Sequence, residues 1–306
     1  MAATNAIARM LDSDLWWSFK RSPVTVLSAI VALVCIGGAV LAPVIAPHDP
    51  FDLASLQLMD AFKPPAWSGE GDWTYPLGTD DQGRDVLSAI MYGARVSLLV
   101  GICATLFATV LGVAVGLLAG YSGGPVDSLL MRIADIQLTF PSILVALLVD
   151  GVVRAVLPRE VHDQLALLVV VFAIGISEWP KFARTVRGST LVERNKEYVL
   201  AARVIGISRT RIMLTHVLPN VLGPVLVVAT LNLGLAILAE ATLSFLGVGV
   251  PPTQPSLGTL IRIGNDFLMS GEWWIAIFPG LALVAMVLSV NLLGDWLRDA
   301  LNPKLR

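Results

Sequence analysis

Long apolar blocks alternate with polar stretches along the chain, and the blocks exceed the length of ordinary core helices. Four of these blocks contain at most one charged residue, and they lie at 24–46, 96–121, 221–247 and 273–293. A helix needs about 20 residues to cross about 30 Å of hydrocarbon, because each residue adds about 1.5 Å. The pattern therefore predicts four transmembrane helices, and the single charge inside them is Glu240.

Two further apolar segments are less regular. The segment 129–153 carries Arg132 and Asp135 in its first turns and Pro141 in its interior, although prolines are tolerated in membrane helices. The segment 164–178 is short, and its length alone also fits a buried or re-entrant segment. We expect both segments to cross, which predicts an all-α integral membrane protein with six transmembrane helices.

Basic residues are distributed unequally between the connections, and this distribution predicts the orientation. Lys and Arg collect on the cytoplasmic side of membrane proteins. With the amino terminus inside, the outer segments hold only six of the 21 basic residues, namely Lys63, Arg84, Arg95, Arg154, Arg159 and Arg262. This count also requires that 164–178 crosses, since otherwise the basic residues that follow it would be exported. We therefore expect both termini in the cytoplasm.

The polar sequence is concentrated in the segments that connect the spans. We expect a cytoplasmic or interfacial stretch at 1–23, outer loops at 47–95 and 248–272, an inner loop at 179–220 and a cytoplasmic tail at 294–306. Common connections run about 2 to 8 residues, so 47–95 and 179–220 are too long to be simple turns. The acidic composition of 47–95 fits either a solvated loop or a surface contacted by a delivery protein.

Composition narrows the class of protein further. Hydrophobic residues make up 56% of the 306 residues and charged residues only 14%, whereas soluble domains carry about 25% charged residues. A formal net charge of -2 gives no support for nucleic-acid binding. The sequence contains no phosphate-binding loop, no HExxH motif and no Cys or His cluster. We therefore expect no catalytic site, no metal site and no cofactor in this chain.

The inner loop has a helical pattern that one glycine interrupts. Asn195 is a candidate cap for a first helix with Glu197 in its first turn, and Gly206 is a candidate left-handed stop. A second helix would begin near Ser208 and end at Pro219. We expect a short helix, a glycine turn and another helix.

The first of these two helices carries small apolar residues on one side. Ala201, Ala202 and Val204 are expected to form a shallow exposed face that permits close docking of a partner. The arginines of the same loop also fit an interfacial helix pair that binds anionic lipid headgroups, at about 1 kcal/mol per basic residue. Both interpretations can hold together, so membrane lipid is an expected partner.

Glu240 lies well inside a predicted span. An ionisable group in hydrocarbon is costly, so its side chain should face protein or a water-filled path. Glu240, together with the amide Asn232 of the same span, is a candidate pathway residue. The alternative is that the carboxyl group is a protonated or hydrogen-bonded packing group.

The inner loop also carries a sequence motif. It consists of EYVLAAR at 197–203, Gly206 and LPN at 218–220. This motif resembles the EAA loop of bacterial ABC-importer permeases, with Leu200 and His216 departing from the family pattern. In that family the loop forms a coupling helix that docks into a groove of the ATPase subunit. The resemblance implies coupling roles for Glu197, Ala201, Ala202, Arg203, Gly206, Leu218 and Pro219.

Other stretches indicate which branch of this family the chain resembles. They are PLGTDDQGRDVLS at 76–88, AGY at 119–121 and SFLG at 244–247. Together these stretches are similar to the C-type permease subunit of dipeptide and oligopeptide importers, whose relatives also carry nickel or glutathione. The resemblance implies the architecture of type I ABC-importer permeases, a place in the bacterial inner membrane and no enzymatic activity of the chain itself.

The same resemblance implies an assembly. The expected partners are a B-type permease subunit, two ABC ATPase subunits that bind ATP and Mg, and a periplasmic peptide-binding protein. This chain would then translocate dipeptides or short peptides by alternating access. Two alternatives come from other classes: an ion-coupled secondary transporter that uses Glu240, and an intramembrane enzyme. The enzyme is disfavoured because no histidine lies within a predicted span.

Overall fold

The computed structural model describes residues 14–52, 56, 58–251 and 254–301. Residues 1–13 and 302–306, which belong to the predicted amino-terminal segment and tail, lie outside the described residues. The helices of the described part are α1 (Asp14–Arg21), α2 (Pro23–Ile45), α3 (Val86–Ser122), α4 (Gly124–Leu138), α5 (Ser142–Val156), α6 (Arg159–Glu193), α7 (Glu197–Val204), α8 (Arg209–Ile212), α9 (Leu218–Phe245), α10 (Leu257–Phe267) and α11 (Trp274–Leu301). Short 3-10 turns lie at Leu58–Asp60 and Leu268–Ser270, and a π-helical stretch at Met213–Val217 joins α8 to α9.

Five helical stretches of the described chain are long and apolar enough to cross a membrane, and one bent helix pair supplies a sixth candidate span. The five stretches are α2, α3, the part Leu165–Glu193 of α6, the run Arg209–Phe245 and the part Trp274–Ala300 of α11. This nearly all-helical architecture with five to six candidate spans confirms the predicted fold class.

The first span follows directly on a short amino-terminal helix. Ser22 Oγ accepts a hydrogen bond from Thr25 N at 3.3 Å and so caps α2. Pro23 stands in the first turn of α2, where the N–H that proline lacks has no helical partner. The ring of Phe19 meets that of Trp296 edge-on at a centroid distance of 5.3 Å, so α1 packs against the end of α11.

Helix α3 is longer than the apolar block from which it was predicted. Asp85 Oδ2 accepts a hydrogen bond from Ser88 N at 2.9 Å, and this cap starts the helix at Val86 rather than at 96. Gly123, with φ +68, ends the helix after Ser122. Hydrophobicity alone does not locate the beginning of the helix, because a cap is a local polar contact outside the apolar block.

The third predicted span is bent. The predicted span 129–153 is made of two helices, α4 and α5, which meet at 94° on either side of the proline noted in the sequence. Thr139 N and Phe140 N donate to carbonyls three residues back, at 3.2 and 3.1 Å, which closes the end of α4 in a turn. Pro141 follows, and a proline disfavours the helical conformation in the residue before it.

The short segment 164–178 is part of a much longer helix. α6 continues past Pro180 to Glu193, so the first part of the predicted inner loop 179–220 is helical and continuous with the span. Phe182 and Val186 are fully buried in the core. Packing against neighbouring helices therefore stabilises a stretch whose charges made it look like a loop.

Close contact between α3 and α6 organises the centre of the fold. The four-residue spacing of Gly112, Gly116 and Gly120 predicts a close packing face, and the structure confirms it. A Cβ on Gly116 would meet the backbone carbonyl of Ala183, and one on Gly120 would lie 2.7 Å from Thr190 Cβ. The two helices approach this closely because these positions carry no side chain.

The segment 248–272, expected as an outer loop, contains helix α10. Ser256 Oγ accepts a hydrogen bond from Thr259 N at 3.3 Å and caps this helix. Leu257 and Leu260 are buried in a cluster with side chains of α3, α9 and α11. This segment is therefore part of the packed core.

The segment before α3 is folded around a buried ion pair. Arg84 Nε lies 2.6 Å from Asp80 Oδ2, and the two side chains are only 6% and 4% exposed. Thr79 and Asp85 form an antiparallel bridge on either side of this pair. Trp274 Nε1 donates to Thr79 O at 3.0 Å, which attaches the segment to the start of α11.

Candidate functional site

The segment that carries the EAA-like motif folds into two short helices joined by a tight turn. Gly206 has φ +82, and its N–H donates to Arg203 O at 3.1 Å. Ile207 N donates to Ala202 O at 3.1 Å. These two bonds form a Schellman turn, in which a residue with positive φ follows the helix. The left-handed stop predicted at Gly206 is confirmed.

Helix α7 presents a different face from the one predicted. Ala202 is only 4% exposed and Val199 is fully buried, and both pack into a cluster that contains Phe182 of α6. The expectation that Ala202 is exposed was wrong, because residues three apart share one side of a helix and Val199 fixes that side inward. The apolar side chains that face outward are Leu200, Ala201, Val204 and Ile205.

Other predicted coupling residues lie around this face. Lys196, not Asn195, takes the N-cap position of α7, so the predicted cap was one residue early. Glu197 is exposed in the first turn, where a negative charge suits the helix dipole. Arg203 is also exposed, and its guanidinium carbon lies 5.3 Å from the ring centroid of Tyr121.

A hydrogen-bond network attaches α7 to the two spanning helices on either side of it. Tyr198 Oη donates to Glu193 Oε2 at 2.5 Å, and Lys196 Nζ lies 2.6 Å from Glu193 Oε1. Asn220 Nδ2 donates to Tyr198 Oη at 3.1 Å and to His216 O at 2.7 Å. Loss of solvent around the phenol, together with its bond to Glu193, raises the pKa of Tyr198 to about 12. The ends of α6, α7 and α9 are thus joined through one phenol.

Leu218 and Pro219 begin helix α9 instead of ending a helix. The π-helical stretch before them is continuous with α8 and α9, so Arg209–Phe245 forms one candidate span. Leu218 N bonds to Met213 O across the widened turn, and Pro219 follows in the first turn of α9. The predicted helix end was wrong because the change of hydrogen-bond register at the π turn accommodates the missing N–H of proline.

Glu240 lies in α9 and is completely buried. Ser97 Oγ of α3 donates to its Oε2 at 2.6 Å, and Ser244 Oγ donates to its Oε1 at 2.7 Å. Leu257 N, at the start of α10, donates to Ser97 Oγ at 3.3 Å. The carboxyl group is therefore enclosed by protein and links three helices in this conformation. The one-turn spacing of Ser244 is visible in sequence, whereas Ser97 has no sequence signal.

Asn232 is the second candidate pathway residue, and it lies about two helical turns from Glu240 on α9. Its side chain is buried, and neither its Oδ1 nor its Nδ2 has a hydrogen-bond partner among the described residues. No hydrogen bond within the described chain joins Asn232 to Glu240. The structure therefore does not bring the two residues into one polar site.

Comparisons with known proteins give a consistent relationship for the whole chain. Residues 112–306 match the family described as "Binding-protein-dependent transport system inner membrane component". Residues 13–65 match the "N-terminal TM domain of oligopeptide transport permease C". The two matched regions lie on either side of the segment that carries the buried Asp80–Arg84 pair.

Curated relatives cover nearly the full length. The dipeptide transport system permease protein DppC of Haemophilus influenzae is 38% identical over 293 residues, which cover 96% of this chain and 95% of the relative. The protein of the same name from Escherichia coli K12 is 42% identical over 294 residues, which cover 96% and 93% of the two chains. These relationships do not favour an ion-coupled secondary transporter.

A solved structure shares the fold. It is an inward-facing conformation of the MetNI methionine ABC transporter, with a TM-score of 0.55 and 19% sequence identity. The match covers 70% of this chain and 96% of the other. Given the family match over most of the chain, the full-length relatives and the shared fold, the chain belongs to the binding-protein-dependent transport system inner membrane components and is a multi-pass permease subunit of a bacterial ABC importer.

Proposed function

We propose that this permease translocates dipeptides or short peptides, paired with a B-type permease subunit and served by a periplasmic peptide-binding protein. The proposed substrate class is supported by the 38% to 42% identity to dipeptide permeases over 96% of the chain. ATP and Mg would be bound by two ATPase subunits, and this chain would bind no cofactor.

The proposed orientation places both termini and α7 in the cytoplasm of a bacterium, with α10 on the periplasmic side of the inner membrane. It is supported by the sidedness of basic residues in the sequence. Arg194, Arg203, Arg209 and Arg211 all lie in or beside the segment from α7 to α8, on the proposed inner side.

Coupling would take place at the outward face of α7 and at the Gly206 turn. Leu200, Ala201, Val204 and Ile205 offer an apolar surface of the kind that fits a groove on a partner, with Glu197 and Arg203 beside it. Ala202 and Leu218, which belong to the cluster around Phe182, would support this surface from behind, while Pro219 lies in the first turn of α9. Because Tyr198 bonds to groups of both α6 and α9, a push on α7 would reach two spanning helices. Coupling requires that these contacts differ between two conformations.

Reconstitution tests this proposal. The permease, its B-type partner, the ATPase subunits and the peptide-binding protein are placed in vesicles, and uptake of a labelled dipeptide is measured with ATP and with a non-hydrolysable analogue. We expect uptake only with ATP and binding protein, unaffected by a protonophore. Uptake that persists without the ATPase subunits and collapses with the proton gradient would contradict the proposal and restore the Glu240-coupled alternative.

Orientation is tested separately. A single cysteine at Ser208, in an otherwise cysteine-free chain, should react with a membrane-impermeant maleimide only after the inner face is exposed in inverted vesicles. A cysteine at the exposed Trp67 of the outer segment is the matched control and should react in intact cells. The reverse labelling pattern would overturn the orientation while leaving the substrate proposal open to its own test.

A further inference from the structure

A cavity of about 670 Å³ opens between the end of α3 and the segment from α7 to α8. Its wall includes three arginines, Arg194, Arg203 and Arg209, and the phenol of Tyr121. No carboxylate lies among its lining residues. A concentration of fixed positive charge in a concave site favours a bound anion.

Contacts with neighbouring residues hold two of the three arginine side chains of the cavity in place. Arg194 Nη1 donates to Gly120 O at 2.7 Å, which holds this guanidinium at the end of α3. Arg203 Nη2 lies 3.5 Å from Arg194 O, and its guanidinium packs near the Tyr121 ring. Asp127 lies near Arg194 but is already paired with Arg187 at 2.5 and 2.7 Å. The cavity therefore keeps an excess of positive charge.

Two groups in the cavity have unused hydrogen-bonding capacity. The hydroxyl of Tyr121 is buried and has no hydrogen-bond partner among the described residues. Arg209 has no carboxylate partner within the described chain and faces the same space. A buried hydroxyl without a partner is costly, so an acceptor oxygen placed here would relieve that cost. Guanidinium groups bind phosphate oxygens through paired N–H donors.

One wall of the cavity is apolar and leads toward the bilayer. Leu118 lines the cavity and is 44% exposed, and it continues the outward apolar side of α3 that includes Leu106 and Val110. Helix α3 has 37 residues, or about 55 Å, which exceeds a hydrocarbon core of about 30 Å. The charge-free block of this helix ends at Tyr121, so we place its last turn at headgroup level. A cationic pocket beside an apolar wall fits an amphiphile better than a fully soluble anion.

We propose that this cavity binds the phosphate headgroup of an anionic phospholipid of the inner leaflet, with an acyl chain along the Leu118 side of α3. The assignment to the inner leaflet depends on the proposed orientation, whereas the assignment of the binding site does not. Arg203 and Arg209 bind the phosphate, and Tyr121 donates a further hydrogen bond. The lipid contacts both the end of α3 and the α7 segment. The amount of anionic lipid in the membrane therefore affects how the proposed coupling region is held.

Lipid binding to the purified full-length chain in detergent tests the site without any transport assay. Phosphatidylglycerol and phosphatidylcholine with identical acyl chains are titrated, and bound lipid is counted by native mass spectrometry. We expect tight binding of phosphatidylglycerol only, with affinity lowered about fivefold by Arg209→Gln and about 30-fold by the double variant Arg203→Gln, Arg209→Gln. Tyr121→Phe should lower the affinity several-fold without changing the fold.

Arg211→Gln is the matched control, because Arg211 is exposed on the same short helix but does not line the cavity. Its affinity for phosphatidylglycerol should stay near that of the parent chain. If Arg211→Gln and Arg209→Gln lowered the affinity for phosphatidylglycerol equally, the effect would be one of general surface charge, and the proposed site would be wrong. Binding of inorganic phosphate that depends on the same arginines, with no preference between the two lipids, would overturn the lipid assignment. Unchanged lipid binding in the double variant with loss of ATPase association would instead assign the arginines to a protein partner.

Discussion

Ser97 Oγ lies 2.6 Å from Oε2 of Glu240, although 143 residues separate the two in the chain. Ser244 occupies the other carboxyl oxygen, and Leu257 N donates to Ser97. A single buried side chain thus links the first third of α3, the end of α9 and the start of α10. Removing it would leave two hydroxyl groups without their acceptor in the interior.

Glu240→Ala is expected to lower the free energy of unfolding by about 3 kcal/mol, because it combines a cavity with buried unsatisfied hydroxyls. Thermal unfolding of the purified chain, followed by tryptophan fluorescence, measures the change. Thr242→Ala is the matched control on the same helix, because Thr242 is only partly buried and its hydroxyl bonds to Leu238 O of its own helix, so the change should alter stability by about 0.5 kcal/mol or less. Equal stability of Glu240→Ala and the parent chain would contradict the role of Glu240 as a link between helices.

Glu240→Gln separates packing from a pathway role. Glutamine keeps one acceptor oxygen in nearly the same volume, so we expect vesicle uptake to fall less than in Gly206→Asp. Gly206→Asp places a charge on the exposed turn, where a Cβ meets no atom within 4 Å but φ is +82. Complete loss of uptake in Glu240→Gln with normal stability would favour a pathway role for the carboxyl group.

The neighbours Ala201 and Ala202 offer a paired test of the coupling face. Ala201→Arg adds its side chain on the outward face of α7, so we expect a folded permease that no longer associates with the ATPase subunits. Ala202→Arg forces a charge into the cluster around Phe182, at a cost of several kcal/mol, so we expect α7 to become sensitive to protease. Co-purification with the ATPase subunits and limited proteolysis distinguish the two outcomes. Identical behaviour of both variants would show that the assigned faces are wrong.

Tyr198→Phe removes the phenol that joins α6, α7 and α9. We expect a loss of about 1 to 2 kcal/mol of stability, because Glu193 and Asn220 each lose a hydrogen-bond partner. Uptake should fall more than this loss of stability explains if the phenol transmits motion. Tyr92→Phe is the matched control, because it removes the same hydroxyl from a ring of α3 that packs edge-on against Phe51, away from α7.

The raised pKa of Tyr198 predicts how the stability of the folded chain changes with pH. The pKa is raised from 10.0 to about 12 in the folded protein, so the folded state holds the proton more tightly than the unfolded state. The resulting stabilisation is complete below pH 10 and is lost as pH rises through about 12. Ultraviolet absorbance of tyrosinate, compared between the parent chain and Tyr198→Phe, measures this titration. A transition of that tyrosine near its ordinary pKa would contradict the network.

The glycines of α3 and α6 give a contrast in packing. Gly116→Ala would drive a methyl group into the backbone carbonyl of Ala183, so we expect a loss of more than about 2 kcal/mol. Gly188→Ala is the matched control in α6, because a Cβ there meets no atom within 4 Å and alanine favours the helix by about 1 kcal/mol. The temperature of thermal unfolding should fall for Gly116→Ala and rise for Gly188→Ala. Equal tolerance would contradict the close approach of α3 and α6.

Properties that depend on local sequence were predictable. Apolar length determined the clear spans, because backbone groups in hydrocarbon must be paired within one segment, and this holds for each helix separately. The stop at Gly206 was predictable for the same reason, since positive φ is a property of one residue and its immediate neighbours. The motif at 197–203 likewise identified the candidate coupling segment before its shape was known.

Tertiary structure decided what depends on distant neighbours. The sequence by itself determined that Glu240 lies inside an apolar span and that α7 is a helix. Only the folded chain decided that Ser97 meets Glu240, that Val199 turns Ala202 inward, that α4 and α5 bend by 94° and that arginines from three segments face one cavity. The physical reason is that burial and hydrogen-bond partners are set by packing between helices, and the helix period alone leaves the rotation of each helix about its own axis undetermined.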